Sequence, residues 1–108
     1  MIDFETYSEA GYIWGGSKWV APPRASQNRK GLSVVGSQNY ARHPTTEVLC
    51  LAYWDKIWKP GDPPPVDLFL HVVRGGLIEA WNSSFEYAIW NEVCVKRYGW
   101  PPLPASQV

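Results

Sequence analysis

Asp3 and Glu5 are the residues from which chemistry can be argued first. They stand in the run Met1-Ile2-Asp3-Phe4-Glu5-Thr6, where Ile2 and Phe4 alternate with the two acids. That alternation predicts a β-strand, and in a strand residues two apart share a face. Two carboxylates on one face repel each other unless a proton or a cation stands between them. Hard oxygen ligands of this kind suit Mg²⁺ or Mn²⁺. The structural alternative is an edge strand with one wet face.

A third acid, Glu86, lies in Asn82-Ser83-Ser84-Phe85-Glu86. Phe85, Ala88, Ile89 and Val93 follow at helical spacing, which predicts an amphipathic helix reaching Lys96. Glu86 then has two readings. It is either a third member of the acidic set or the closing half of a capping box that starts at Ser83.

The remaining elements must position these acids. Thr46 to Trp54 is almost continuously apolar and predicts a central strand covered on both faces. Asp55-Lys56 reads as a tight turn into Ile57-Trp58. Leu32 to Gly36 reads as a short strand, and Gln38 to His43 as a helical turn ended by Pro44. Asp62 and the prolines after it announce a helix with Val66, Phe69, Leu70 and Val73 on its apolar face, stopped by Gly75-Gly76. Leu77 to Trp81 reads as a further strand. Residues 97–108 carry Pro101, Pro102 and Pro104 and read as a proline-rich tail.

Residues 12–31 differ in character. Gly, Pro and Ser break long elements there, while Lys18, Arg24, Arg29 and Lys30 interleave with Trp14 and Trp19. Such a loop either tracks a nucleic-acid strand by phosphate attraction and stacking, or docks its tryptophans on protein.

Composition sets the bounds. The 108 residues suffice for one small domain, and 45% of them are hydrophobic. Formal net charge is zero, so no global basic field holds nucleic acid. Cys50 and Cys94 form no Cys-x-x-Cys pair and suggest buried thiols in a reducing cytoplasm. No apolar run is long enough for a membrane span. The seven tryptophans suggest a surface built to be covered.

Taken in order, these motifs resemble the proofreading 3′→5′ exonuclease domain of phage-type family A DNA polymerases, in the DEDD (ribonuclease H-like) superfamily. Asp3-Phe4-Glu5-Thr6 is similar to the first exonuclease motif, Tyr40 to Tyr53 to the strand region after it, and Ile78 to Trp90 to the second motif. Arg97 to Pro104 resembles the exit from the following helix. The resemblance implies an α/β fold: a truncated ribonuclease H-like domain over 1–108. Its mixed sheet has antiparallel first strands and then a parallel strand, with two main helices and 12–31 as an insertion. It implies two Mg²⁺ or Mn²⁺ ions held by Asp3, Glu5 and Glu86. Thr6, Asn82 and Phe85 would bind the terminal nucleotide of a single-stranded DNA 3′ end.

Two departures carry consequences. Glu86 stands where the second motif usually has Asp. No third motif follows, so the two-ion site is expected to be weak and to need another chain or that motif for full activity; the strand at Leu77–Ala80 is expected to be a bare edge that recruits a second copy or a polymerase chain. The alternative is a non-catalytic DNA- or polymerase-binding module that keeps the fold.

Overall fold

A computed structural model describes residues 1–8, 13–14, 19–20 and 32–108. The fold is mixed α/β. Its main sheet has three antiparallel strands in the order β1-β4-β5: β1 is Ile2–Tyr7, β4 is Glu47–Tyr53 and β5 is Lys56–Trp58. A two-stranded ladder, β2 (Ile13–Trp14) with β3 (Trp19–Val20), lies within the stretch expected to be a loop.

β1 follows its sequence pattern. Ile2 and Phe4 are buried, while Asp3 and Glu5 are exposed on the other face. Phe4 stands opposite Leu51 and Ile2 opposite Tyr53, so the apolar faces of β1 and β4 merge into one core. β4 is central in order but is not covered on both faces. Leu49 is 53% exposed and Ala52 is exposed too, so the outer face lies open. The β4–β5 turn is Trp54–Asp55, one residue earlier than expected, because Lys56 already pairs with Tyr53. Trp54 takes φ 52°, a left-handed conformation that a bulky side chain rarely adopts.

Helix α1 spans Leu32–Arg42, with non-helical angles at Gly36 (φ 77°, ψ 166°). The strand expected at Leu32–Gly36 is therefore a helical turn that joins the predicted one through a kink. Helix α2, Val66–Val73, is present, but its buried face is Leu68 and Val72, with Phe69 half-buried. Val66, Leu70 and Val73 face outward, contrary to the spacing argument. Phe69 decides the rotation, since its ring lies 5.1 Å from Trp100 and 6.3 Å from Trp90. Pro65, not Asp62, is the N-cap of α2; Asp62 instead closes the preceding turn by accepting from the Lys59 N–H at 3.0 Å.

Residues 76–80 do not form a strand, and the described residues contain no parallel strand. The segment is extended and pinned at two points. The Ile2 N–H donates to Glu79 O at 2.8 Å, and the Ile78 N–H donates to Gln107 O at 2.6 Å. The Gln107 amide also donates to Val72 O and Gly76 O. The edge expected to be bare is thus partly closed by the chain's own C-terminal segment.

The last helical body runs through α3 (Ser83–Ile89), a π-helical stretch (Trp90–Cys94) and α4 (Val95–Tyr98), ending at Gly99 with φ 72°. The tail is docked rather than free. Trp100 and Leu103 are buried, Trp90 Nε1 donates to Pro101 O at 2.7 Å, and the Asn91 amide both accepts from and donates to the Leu103 backbone. Three of the seven tryptophans, Trp58, Trp90 and Trp100, therefore serve the core rather than a surface.

Trp58 lies 4.9 Å from Trp100 and 5.4 Å from Tyr98, yet its Nε1 is buried with no hydrogen-bond partner among the described residues. An unpaired buried donor offsets part of what the ring contributes. Replacing Trp58 by Phe is accordingly expected to leave stability within about 1 kcal/mol of the parent in urea unfolding. Removing a large buried aromatic ordinarily costs about 3–5 kcal/mol.

Candidate acidic site on the first strand

β1 is an edge strand, so the N–H groups of Ile2 and Phe4 that point away from β4 need partners from elsewhere. Ile2 uses Glu79 O. Phe4 uses a side chain: its N–H donates to Glu86 Oε2 at 3.0 Å, across 82 residues of sequence. Glu86 thus does the work of a missing neighbouring strand.

Asn82 makes this possible. It is the N-cap of α3, and its Oδ1 accepts from the Phe85 N–H at 3.4 Å and from Ser84 Oγ at 3.2 Å. Glu86 therefore sits one turn into the helix, on the side turned to β1. The capping-box reading fails on both counts, since Ser83 is not the cap and the Glu86 carboxylate is spent on Phe4.

Glu86 is 4% exposed. Burial pushes its carboxyl up from 4.5 to about 7; the Phe4 N–H opposes the rise, and the negative charges of Asp3 and Glu5 add to it. The three acids therefore share one electrostatic neighbourhood. Asp3 and Glu5 stand opposite Ala52 and Cys50 on the exposed face, and Cys50 is half-buried. The β1–β4 register shifts directly after Glu5: Glu5 pairs with Cys50 and Thr6 with Val48, leaving Leu49 as the extra residue. Such bulges re-aim side chains and are frequent beside active sites.

The residues assigned to a terminal nucleotide meet a partner that the sequence did not single out. Thr6 Oγ1 lies 2.9 Å from the Tyr40 hydroxyl, and the Phe85 ring meets the Tyr40 ring edge-on at 5.7 Å. Tyr40 is itself nearly buried. Asn82 remains exposed beside Trp81, whose side chain is 92% exposed.

Of the basic loop, Lys18, Arg24, Arg29 and Lys30 lie outside the described residues. Trp14 and Trp19 are paired through their backbones in the β2–β3 ladder.

Compared with protein-family models, curated proteins and solved structures, the chain matches none.

The donor chemistry suits a divalent ion, since three carboxylates share one electrostatic neighbourhood. The spacing is open, however. Among the described residues no three His, Cys, Asp or Glu side chains stand close enough to hold one metal ion. Binding would require Asp3, Glu5 and Glu86 to draw together. No helix among the described residues is long and apolar enough to cross a membrane.

Proposed function

We propose that the chain carries a metal-dependent 3′→5′ exonuclease site of the ribonuclease H-like kind, acting on the 3′ ends of single-stranded DNA. The observation that carries this reading is the arrival of Glu86 at β1. A helix residue 82 positions downstream of Phe4 places a third carboxyl where it accepts from the Phe4 N–H and feels both Asp3 and Glu5. A buried acid set against two others is costly for the fold, and such costs concentrate at functional sites.

The chemistry such a site would gain from divalent ions is activation of a water and stabilisation of the leaving 3′ oxygen. The chain's own residues do the rest. Asp3 and Glu5, two apart on one face of the strand, would present carboxylate oxygens to such ions. Glu86, its carboxyl pushed up to about 7 by burial, would hold a proton part of the time at neutral pH and would have to give it up for a cation to bind. Trp81 offers an exposed indole face on which a base can stack, next to the exposed polar groups of Asn82 and Ser83.

A second reading is favoured by the open spacing of the acids. In that case the domain binds single-stranded DNA or a polymerase chain without cutting. The exposed Trp54, Leu70, Val73 and Leu77 supply apolar surface for a protein partner, whether a second copy or a polymerase.

Degradation of a 3′-labelled single-stranded oligonucleotide separates the two. With Mn²⁺ or Mg²⁺ the parent is expected to shorten the label end, EDTA to stop it, and Asp3→Ala to lower the rate by roughly a thousandfold, as loss of a carboxylate needed to hold the ions would. Equal rates in the parent and Asp3→Ala would reject the exonuclease reading.

A further inference from the structure

We infer that Tyr40 is the positioning residue that sets how the strand bearing Asp3 and Glu5 stands against the helix bearing Glu86. The inference gives Tyr40 a part in the site proposed above, but its structural half can be tested without metal or substrate.

Three observations converge on Tyr40. Its hydroxyl lies 2.9 Å from Thr6 Oγ1, and Thr6 follows Glu5 directly. Its ring meets Phe85 edge-on at 5.7 Å, and Phe85 precedes Glu86 directly. So on each element Tyr40 grips the residue next to an acid. The third observation is the bulge. The β1–β4 register shifts between Glu5 and Thr6, where Thr6 pairs with Val48, so the strand departs from a regular ladder directly after Glu5. The Tyr40 hydroxyl adds a tie from outside the sheet at that irregularity.

Tyr40 is itself held. Its carbonyl accepts from Thr46 Oγ1 at 2.5 Å and from the His43 N–H at 3.2 Å, and Thr46 is fully buried. Thr46 Oγ1 also contacts Ser8 Oγ at 2.6 Å, just past the end of β1. The tyrosine is thus anchored through its backbone at the α1–β4 connection while its side chain spans β1 and α3. A residue with 9% exposure and two such contacts has little freedom to act elsewhere. Tyr40 touches no reacting atom; it acts through Thr6 and Phe85.

The direct report of the β1–α3 separation is the hydrogen bond from the Phe4 N–H to Glu86. Its opening can be followed by amide hydrogen exchange of Phe4 in the metal-free protein, with the buried Leu51 amide as the internal standard. Tyr40→Phe keeps the ring against Phe85 and removes the hydroxyl. Thr6→Val removes the same hydrogen bond from the other side. Each is expected to speed Phe4 exchange roughly tenfold relative to Leu51, the scale of one lost hydrogen bond. The double variant should be no faster than either single one, because both remove one interaction.

In the Mn²⁺-dependent oligonucleotide assay, Tyr40→Phe is expected to lower kcat about tenfold with KM within about twofold, as a positioning defect does. Phe4 exchange in Tyr40→Phe that matches the parent would overturn the inference, as would a double variant whose effects multiply. A parent that shows the exchange coupling but never shortens DNA would reject the exonuclease reading and leave Tyr40's positioning role standing.

Discussion

Glu86→Gln is expected to stabilise the protein by about 3 kcal/mol at pH 8.5 and by almost nothing at pH 4.5. The sign follows from the direction of the shift. In the folded chain the Glu86 carboxyl is raised to about 7 from 4.5, first by burial and then by Asp3 and Glu5. Between those values the folded state binds more protons than the unfolded state. Stability therefore falls as pH rises through this window, and the full penalty is present above it.

Most paired carboxylates behave in the opposite way. Asp67, beside Lys56, and Glu92, between Lys96 and Arg42, have lowered carboxyl values, and their contributions are lost as pH falls below the ordinary carboxylate range. Their window lies on the acid side of the one governed by Glu86. Glutamine keeps an oxygen that can accept from the Phe4 N–H while removing the charge. Urea unfolding of the parent from pH 5 to 8.5 should show stability declining with pH, and Glu86→Gln should flatten that slope. A parent slope identical to that of Glu86→Gln would mean that Glu86 titrates normally.

The second large effect lies in the core. Trp90→Ala is expected to cost about 4 kcal/mol, within the range for truncating a large buried aromatic. Trp90 has no exposed surface, packs 5.1 Å from Trp100 and 6.3 Å from Phe69, and donates to Pro101 O. Its loss removes ring contacts and one of the ties that hold the tail. Domain stabilities are commonly about 5–15 kcal/mol, so this single change consumes a large share. Trp90→Phe should cost about half as much, because it retains a ring against Trp100 and Phe69. Urea midpoints of the two variants check the ordering. A loss below about 1 kcal/mol for Trp90→Ala would contradict the docked-tail arrangement.

Where local pattern and tertiary contact agreed, the fold was legible from the residues. The period-two alternation of Ile2 to Glu5 placed two acids on one exposed face and two apolar groups in the core, as found. The helix after Asn82 was legible from its apolar spacing, and so was the stop at Gly75, which takes φ 86°.

Other features depended on partners that no local window contains. In Val66 to Val73 nearly every residue is apolar, so several faces fit the spacing; the aromatic cluster around Trp100 chose Leu68 and Val72. Leu32 to Gly36 has the valines of a strand, yet it forms a helical turn that Gly36 kinks into the next. The proline-rich tail looked like a linker, but Trp100 and Leu103 among its prolines were the signal that it packs.

The candidate site divides in the same way. Asp3, Glu5 and Glu86 were singled out by residue type and order, and the structure brings the third into the electrostatic neighbourhood of the first two. Tyr40 was missed because neither of its contacts is local: Thr6 lies 34 residues before it and Phe85 lies on another helix. The positions of Thr6 and Phe85 against Tyr40, and of Asn82 at the helix cap, are structural facts that come before any part these residues take in binding a nucleotide.

The measurement that most directly tests whether the three acids form one cation site is thermal unfolding at pH 8 with and without Mn²⁺, for the parent, Glu86→Gln and Asp3→Ala. At that pH Glu86 is charged, and its repulsion with Asp3 and Glu5 is greatest. Mn²⁺ is expected to raise the parent's unfolding midpoint by several degrees, as a ligand bound only to the folded state does. The rise should shrink in Glu86→Gln and disappear in Asp3→Ala. The same rise in all three proteins, or none in a folded parent, would contradict a shared cation site.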